Sequence, residues 1–562
     1  MTTTDENRQI AAERRLEWLL DEHWRADDRP AAVRATRRPQ RAGGQQLLLA
    51  AAFVLGSVVL GGAYWLQYRG APVQFAFAGL TDGDQESALV WHEAFGPDAV
   101  ASIPADVVNL RCYDFDDAAL AKLGRLQRLE RLDLGQMRVD ERGVARSLPI
   151  TDAGVVHLRD LPRLQRLSLA QCHAVRGPAL AVLAELPMLE HLDLTYSGVD
   201  GAGLTQLARS RSLRTLVLSH CLNFPGSVLA ELAKLPRLEQ LELRGCPTVA
   251  AADVAALASA KQLRYLDLRD CQGRFRGQTA SFGDPDAPPP PVQDGIGVTD
   301  QAIAALVGLP LDTLFLGGCT ALTDDVAKSL AKLPRLLVLD LGNLPRTSPA
   351  VLAGVPADHL LILQLDGNMH WDAAVTIQLQ RFERLLGLSL SGVRGVDDAG
   401  LAQILRGKDL VSLELGMVAI RANAGKDGTG RVGPQLTTAS LPGLVGQQKL
   451  RLLDLTGADW LDAEALGELA RLPALQELRL ASVGPLPPAT LAKLATSRSL
   501  QRLSLEHCRE VTAEHVGRLA GPPWRRISLR GTAVDVAALR ELLPRFAGCE
   551  FVLPSGQVLR AP

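Results

Sequence analysis

Eight cysteines are the residues of this 562-residue chain most suited to chemistry. As thiolates they bind zinc or act as nucleophiles, and in pairs they form disulfides. Their spacing argues against zinc, because there is no CxxC pair and a zinc site gathers four ligands together. Six of them, Cys172, Cys221, Cys246, Cys271, Cys319 and Cys508, instead each stand eight residues after a leucine, and Asn368 holds the same place. Other signatures lack their context. Gly428, Gly430 and Gly433 spell GxGxxG, but not between a strand and a helix of a nucleotide-binding unit. TDGDQES at 81–87 has calcium-like acidic spacing without the later ligands of such a loop. HExxH, GxSxG and a Walker-type loop are absent. No catalytic residue, metal or cofactor is assigned, and the chain is read as a non-enzyme.

The leucines that set this spacing form a pattern, LxxLxL. It begins at Leu129, Leu164, Leu189, Leu213, Leu238, Leu263, Leu311, Leu336, Leu360, Leu385, Leu410, Leu450, Leu475 and Leu500, with a variant at Trp524. Eleven of the fourteen steps between starts are 24 or 25 residues, so one structural unit is copied along the chain. Within LQRLSLAQC (164–172), Leu167 and Leu169 alternate with Arg166 and Ser168, as a short strand requires. A helical piece follows each strand. In ITDAGVVHLRDLPRL, Thr151 or Asp152 is the candidate N-cap and Pro162 discourages continuation; VTDQAIAAL, LTDDVAKSL, VDDAGLAQIL and VTAEHVGRL start in the same way. Stacked coils then place all strands in one parallel sheet with the helices opposite.

LxxLxLxxC followed by VTD-type helix starts resembles the cysteine-containing leucine-rich repeat family over about residues 105–553. The resemblance implies a curved α/β solenoid whose concave sheet binds protein or peptide partners. Ser197, Leu344, Val393, Ala458 and Val483 depart from the cysteine place. No F-box precedes the repeats, so a ubiquitin-adaptor role is not carried over. Cys221, Cys246 and Cys271 belong to consecutive units, about one strand spacing (~4.8 Å) apart and within disulfide reach. Three parallel side chains cannot pair evenly, so reduced, buried thiols are expected.

Residues 47–66, LLLAAAFVLGSVVLGGAYWL, carry no charge and as a helix span about 30 Å, a bilayer core. Arg29, Arg34, Arg37, Arg38 and Arg41 precede this run, whereas Arg69 and then Asp82, Asp84 and Glu86 follow it. The positive-inside rule then leaves the N-terminus in the cytoplasm and the repeats in the periplasm or outside the cell. The start is too long for a cleaved signal peptide, and a single-pass anchor is expected. The domains read as 1–45 cytoplasmic, 46–67 transmembrane, 68–104 linker and cap, 105–553 solenoid and 554–562 tail. Residues 9–24 place Ala12, Leu16, Leu19, Leu20 and His23 on one helical stripe, a solvated or membrane-surface helix or a dock for a cytoplasmic protein. Abundant Arg and scarce Asn resemble the composition of a high-GC bacterium.

With 60 Lys+Arg against 62 Asp+Glu the net charge is −2, and 47% of residues are hydrophobic. This excludes a wholesale nucleic-acid binder and a fully disordered chain. The residue between the last two leucines of each strand is expected to be exposed on the sheet face, and seven of those fifteen are acidic: Asp133, Asp193, Glu242, Asp267, Asp340, Glu414 and Asp454. His191, Tyr196, His220, Arg244, Tyr265 and Arg269 flank the row; with Asp193, Glu242 and Asp267 they form the candidate partner-binding patch, read otherwise as a solvated face. Three insertions, 135–149, 282–295 and 417–435, follow strands and emerge on one edge. The proline-rich one is read equally as a flexible excursion. A membrane-anchored protein-binding scaffold is the expected function. The alternative is a transmembrane signalling component that couples external capture to a cytoplasmic partner through residues 9–24.

Overall fold

Most strands are held by a central leucine, which faces the helices and meets the equivalent leucine of the next coil. Leu192 pairs in register with Leu216, Leu216 with Leu241 and Leu241 with Leu266, and all are fully buried. The computed structural model describes residues 91–136, 148–271, 297–419 and 431–562. The stretches 9–24, 47–66 and 81–87, Gly428 and Gly430, and most of each insertion lie outside these residues. Among the described residues no helix is long and apolar enough to cross a membrane.

The coils build one sheet of nineteen strands among the described residues, parallel from His92–Phe95 through Glu550–Val552. Most strands are three residues long. An antiparallel strand, Val558–Arg560, closes the last edge. The first strand lies within the expected cap, which therefore contributes to the sheet. The ladder continues past the long insertions: Leu266 pairs with Leu314, and Leu413 with Leu453. The helical side is built from short α and 3₁₀ turns. Strands stack about 4.8 Å apart whereas helices need roughly 8–10 Å, so the sheet takes the concave side. The chain is thus an α/β leucine-rich repeat solenoid.

The recurring Thr-Asp pair has two separate tasks. Thr151 caps its own helix, its hydroxyl accepting from Ala153 N at 3.1 Å, while Asp152 reaches the following coil and accepts from Arg176 N at 3.2 Å. Elsewhere the aspartate holds the next coil's cap residue by both backbone and hydroxyl. Asp300 accepts from Thr323 N at 3.0 Å and Oγ1 at 2.7 Å, and Asp324 from Ser348 N and Oγ, both at 2.7 Å. Asp398 does the same to Thr437, at 2.8 and 2.6 Å, across the third insertion. Asp300→Ala is expected to cost about 1–3 kcal/mol in chemical denaturation by stranding these donors. An unchanged unfolding midpoint would contradict this inter-coil role.

All eight cysteines are buried. At the repeat position the thiol donates to a leucine carbonyl of the preceding coil: Cys221 to Leu194 O at 3.0 Å, Cys246 to Leu218 O at 3.1 Å and Cys271 to Leu243 O at 3.0 Å. Burial pushes the Cys221 thiol up to about 12, so it stays protonated and serves as a donor. Asn368 does the same work twice, donating to Leu341 O and accepting from Leu344 N, each at 2.8 Å.

Candidate binding face

The concave strand positions and the turn after them carry all nine candidate residues, but not in one environment. The expected exposure of the row is overturned. Asp133, Ser168 and Asp193 are partly exposed, whereas the other twelve residues, from Val217 through Ser528, are buried. In-register strands set equivalent side chains side by side, and each is shielded by its neighbours and by the partners it takes. Glu242 accepts from Gln240 Nε2 at 2.7 Å. Asp267 receives Arg269 Nε at 3.0 and 3.1 Å and Nη2 at 2.5 Å, and the Arg269 guanidinium lies 4.6 Å over the Phe315 ring. Tyr265 tilts against Phe315 at 5.5 Å. Glu242, Tyr265, Asp267 and Arg269 are therefore buried parts of the face rather than an open contact surface.

The accessible candidates sit toward the ends of the strands. Asp193 is partly exposed and accepts from Thr195 N at 2.9 Å and Thr195 Oγ1 at 2.6 Å. Tyr196 and His220 stack with centroids 4.5 Å apart and planes 5° apart. Both hold the left-handed backbone, φ 57° and 58°, that brings the chain off each strand. The next coil has Gly245 there, at φ 66°, and a Cβ on it would lie 2.3 Å from His220 Nδ1. The imidazole thus leans over a neighbour that only glycine permits. Arg244 beside it pairs with Asp270 at 3.4 Å. Burial, then Arg166, lowers the His191 imidazole to about 3, and its Nδ1 has no hydrogen-bond partner. His191 is held neutral and is no proton donor at physiological pH.

A second constellation, around Arg479, escaped the sequence reading. Arg479 Nε donates to Glu477 Oε1 at 2.6 Å, and Nη1 lies 3.9 Å from Asp454 and 4.0 Å from Glu414. Ser389 Oγ joins two carboxylates, donating to Asp366 and lying 3.4 Å from Glu414 Oε2. The available signal was a lone arginine in a row of acids, with Asp366 two residues beyond a row position.

Two acids of this face, the buried Asp340 and the partly exposed Asp366, make stability depend on pH in the sense opposite to ordinary acid denaturation. Burial raises Asp340 to about 6 and Asp366 to about 7, Arg269 opposing the first and the Ser389 hydrogen bond the second. Unfolded aspartates ionise near about 3.9. Between that value and about 7 the folded state therefore binds more protons than the unfolded state, and this contribution falls as pH rises. From about pH 5 to 7.5, the melting temperature of an Asp340→Asn/Asp366→Asn variant is expected to lose less than wild type does. Equal slopes would refute it.

No family model and no curated protein sequence matches the chain. Many solved structures are similar to it, and three of them follow. The yeast Rad7–Elc1 complex gives 16% identity and a TM-score of 0.37, covering 83% of this chain and 94% of that one. The TLR13–ssRNA13 complex gives 17% and 0.37, covering 81% of this chain and 64% of that one. A leucine-rich repeat protein of Leptospira interrogans gives 17% and 0.32, covering 82% of this chain and all (100%) of that one.

Proposed function

We propose that this protein is a non-enzymatic scaffold that captures a protein partner along the rim of its concave sheet, and that residues 47–66 anchor it in a membrane with the repeats outside the cytoplasm. The observation that carries the capture reading is the Tyr196–His220 stack. It is a flat, partly exposed aromatic surface held by unusual backbone, flanked by Arg244, and the types present are those that dominate binding hot spots. The first two insertions follow Gln136 and Cys271, on this same edge of the sheet.

The test is affinity capture with the full chain against a Tyr196→Ser/His220→Ser variant of matched melting temperature. Loss of a saturable partner, by about 2 kcal/mol or more in affinity, is expected. An identical set of captured proteins would refute the rim as the contact surface. The anchor is tested by protease protection: in sealed inside-out membrane vesicles, whose accessible face is the cytoplasmic one, the repeats resist an added protease. Cleavage of the repeats from that side would overturn the orientation.

A further inference from the structure

The rim that carries the Tyr196–His220 stack carries a second one. Phe95 and Tyr113 end the first two strands, pair in register and stack with centroids 4.6 Å apart and planes 7° apart. Tyr113 is partly exposed, and Phe95 keeps 52% of its surface in solvent. Resting on the capture reading, we propose that the partner lays an extended segment along this rim. That segment places two aromatic or other large apolar side chains, four residues apart, one on each stack, with an acidic residue between them.

Three observations lead there. The first is that both stacks sit in one row. Tyr113 pairs with Gln136, and Gln136, Gln171 and Tyr196 each follow by three residues Asp133, Ser168 and Asp193, which are in register. The row continues past the strand ends, Gln171 N donating to Thr195 O at 2.7 Å and Tyr196 N to Ser219 O at 3.0 Å. The ring spacings, 4.6 and 4.5 Å, repeat the strand spacing of about 4.8 Å. The second is exposed apolar surface that the core does not use. Phe95 at one end of the row and Leu222, two residues after His220, at the other are each 52% exposed. The third is charge. His173 and Arg176 are the exposed charged side chains of the turn at 171–176, between the stacks, and among the described residues neither side chain is in an ion pair. Asp152, on the adjacent coil, is committed to Arg176 N at 3.2 Å and Ala179 N at 3.3 Å.

The spacing selects the ligand. Tyr113 and Tyr196 are three strand spacings apart, about 14 Å. An extended chain covers this in four residues at about 3.4 Å each, and side chains four apart on it share one side. A helix needs about nine or ten residues at about 1.5 Å each, and at about 100° per residue side chains so far apart do not share a face. A carboxylate between the two anchors offsets the positive charge of the turn that separates the stacks. Side chains of the aromatic and large apolar kind suit the anchors, because each stack offers a flat, partly dry surface on which such groups bury area at low entropic cost.

A random peptide library displayed on phage, panned against the full chain in detergent micelles, tests the proposal, the selected peptides then being measured by fluorescence anisotropy. They are expected to share two aromatic or large apolar residues four apart, with Asp or Glu between. Glycines inserted between those two residues, or Phe95→Ser/Tyr113→Ser in the protein, should each weaken binding about tenfold or more. Absence of selected peptides, pairs at another spacing or without the acid, or unchanged binding after either alteration would overturn it. If the Phe95/Tyr113 variant fails to fold, the glycine insertion, measured on the unaltered chain, decides. Peptides that lose binding with Tyr196→Ser/His220→Ser but not with Phe95→Ser/Tyr113→Ser would remove the second anchor and leave the capture reading standing.

Discussion

Leu241→Asp is expected to abolish cooperative folding of the coils around it. Leu241 is fully buried in the strand Gln240–Glu242, between Leu216 and Leu266. Truncating such a leucine costs about 2–5 kcal/mol, and placing a carboxylate in the vacated apolar site adds several more. Domains of ordinary stability hold about 5–15 kcal/mol in total. Because each coil is supported mainly by its two neighbours, the loss spreads from the site in both directions. Circular dichroism should show the melt broadened or shifted down by tens of degrees. Leu222→Asp is the control: Leu222 lies in the loop of the same coil as Leu216 and is 52% exposed, so its variant should melt as wild type does. Wild-type melting of the Leu241 variant would contradict the buried ladder.

Arg479→Met should be nearly as damaging, for an electrostatic reason. Burial works against charge on Arg479, but Glu477 first, then Glu414 and Asp454, outweigh it and push the guanidinium up. Those acids are buried as well, and Glu414 is itself raised, foremost by burial, with Arg479 the main influence opposing this. Removing one partner of a buried ion pair costs about 3–5 kcal/mol, because the other charge remains without compensation. The loss should shrink at low pH, where the stranded carboxylates accept protons. Replacing Glu477 as well, as Arg479→Met/Glu477→Leu, should recover only part of the loss, because Glu414 and Asp454 still lack the guanidinium. A single variant as stable as wild type at neutral pH would show that the cluster is solvated rather than buried.

The leucine and cysteine positions were legible because each reports a repeated local environment: period-2 alternation for Leu167 and Leu192, one post-strand position for Cys221 and Asn368. The insertions were legible as breaks in the same count, and the sheet does run past them. The burial of Glu242, Asp267 and Arg479 was not legible. Alternation says which way a side chain points, not how closely the adjacent strand's side chains cover it, and that depends on pairs such as Tyr265 with Phe315, fifty residues apart in sequence. The Thr-Asp motif was half legible. Capping by Thr151 follows from local backbone physics, whereas the partner of Asp300 is Thr323, in the next coil. Of the binding patch, Tyr196 and His220 come together as a stack because consecutive coils place the same turn position side by side. Tyr265 and Arg269, on the strand and just after it, turn out to be built into the face.

Everything rests on one continuous ladder of coils, and native-state hydrogen exchange of the full chain reads that ladder directly. The amides of Leu194, Leu218, Leu243, Leu268 and Leu316 each donate to the residue at the end of the next strand, the Leu268 bond spanning the insertion between Cys271 and Gly297. They should be strongly protected and should exchange together, Leu268 with the same free energy as Leu218 and Leu243. Loop-like exchange at Leu268, or independent opening of the coils on either side of it, would contradict a single solenoid with one concave face.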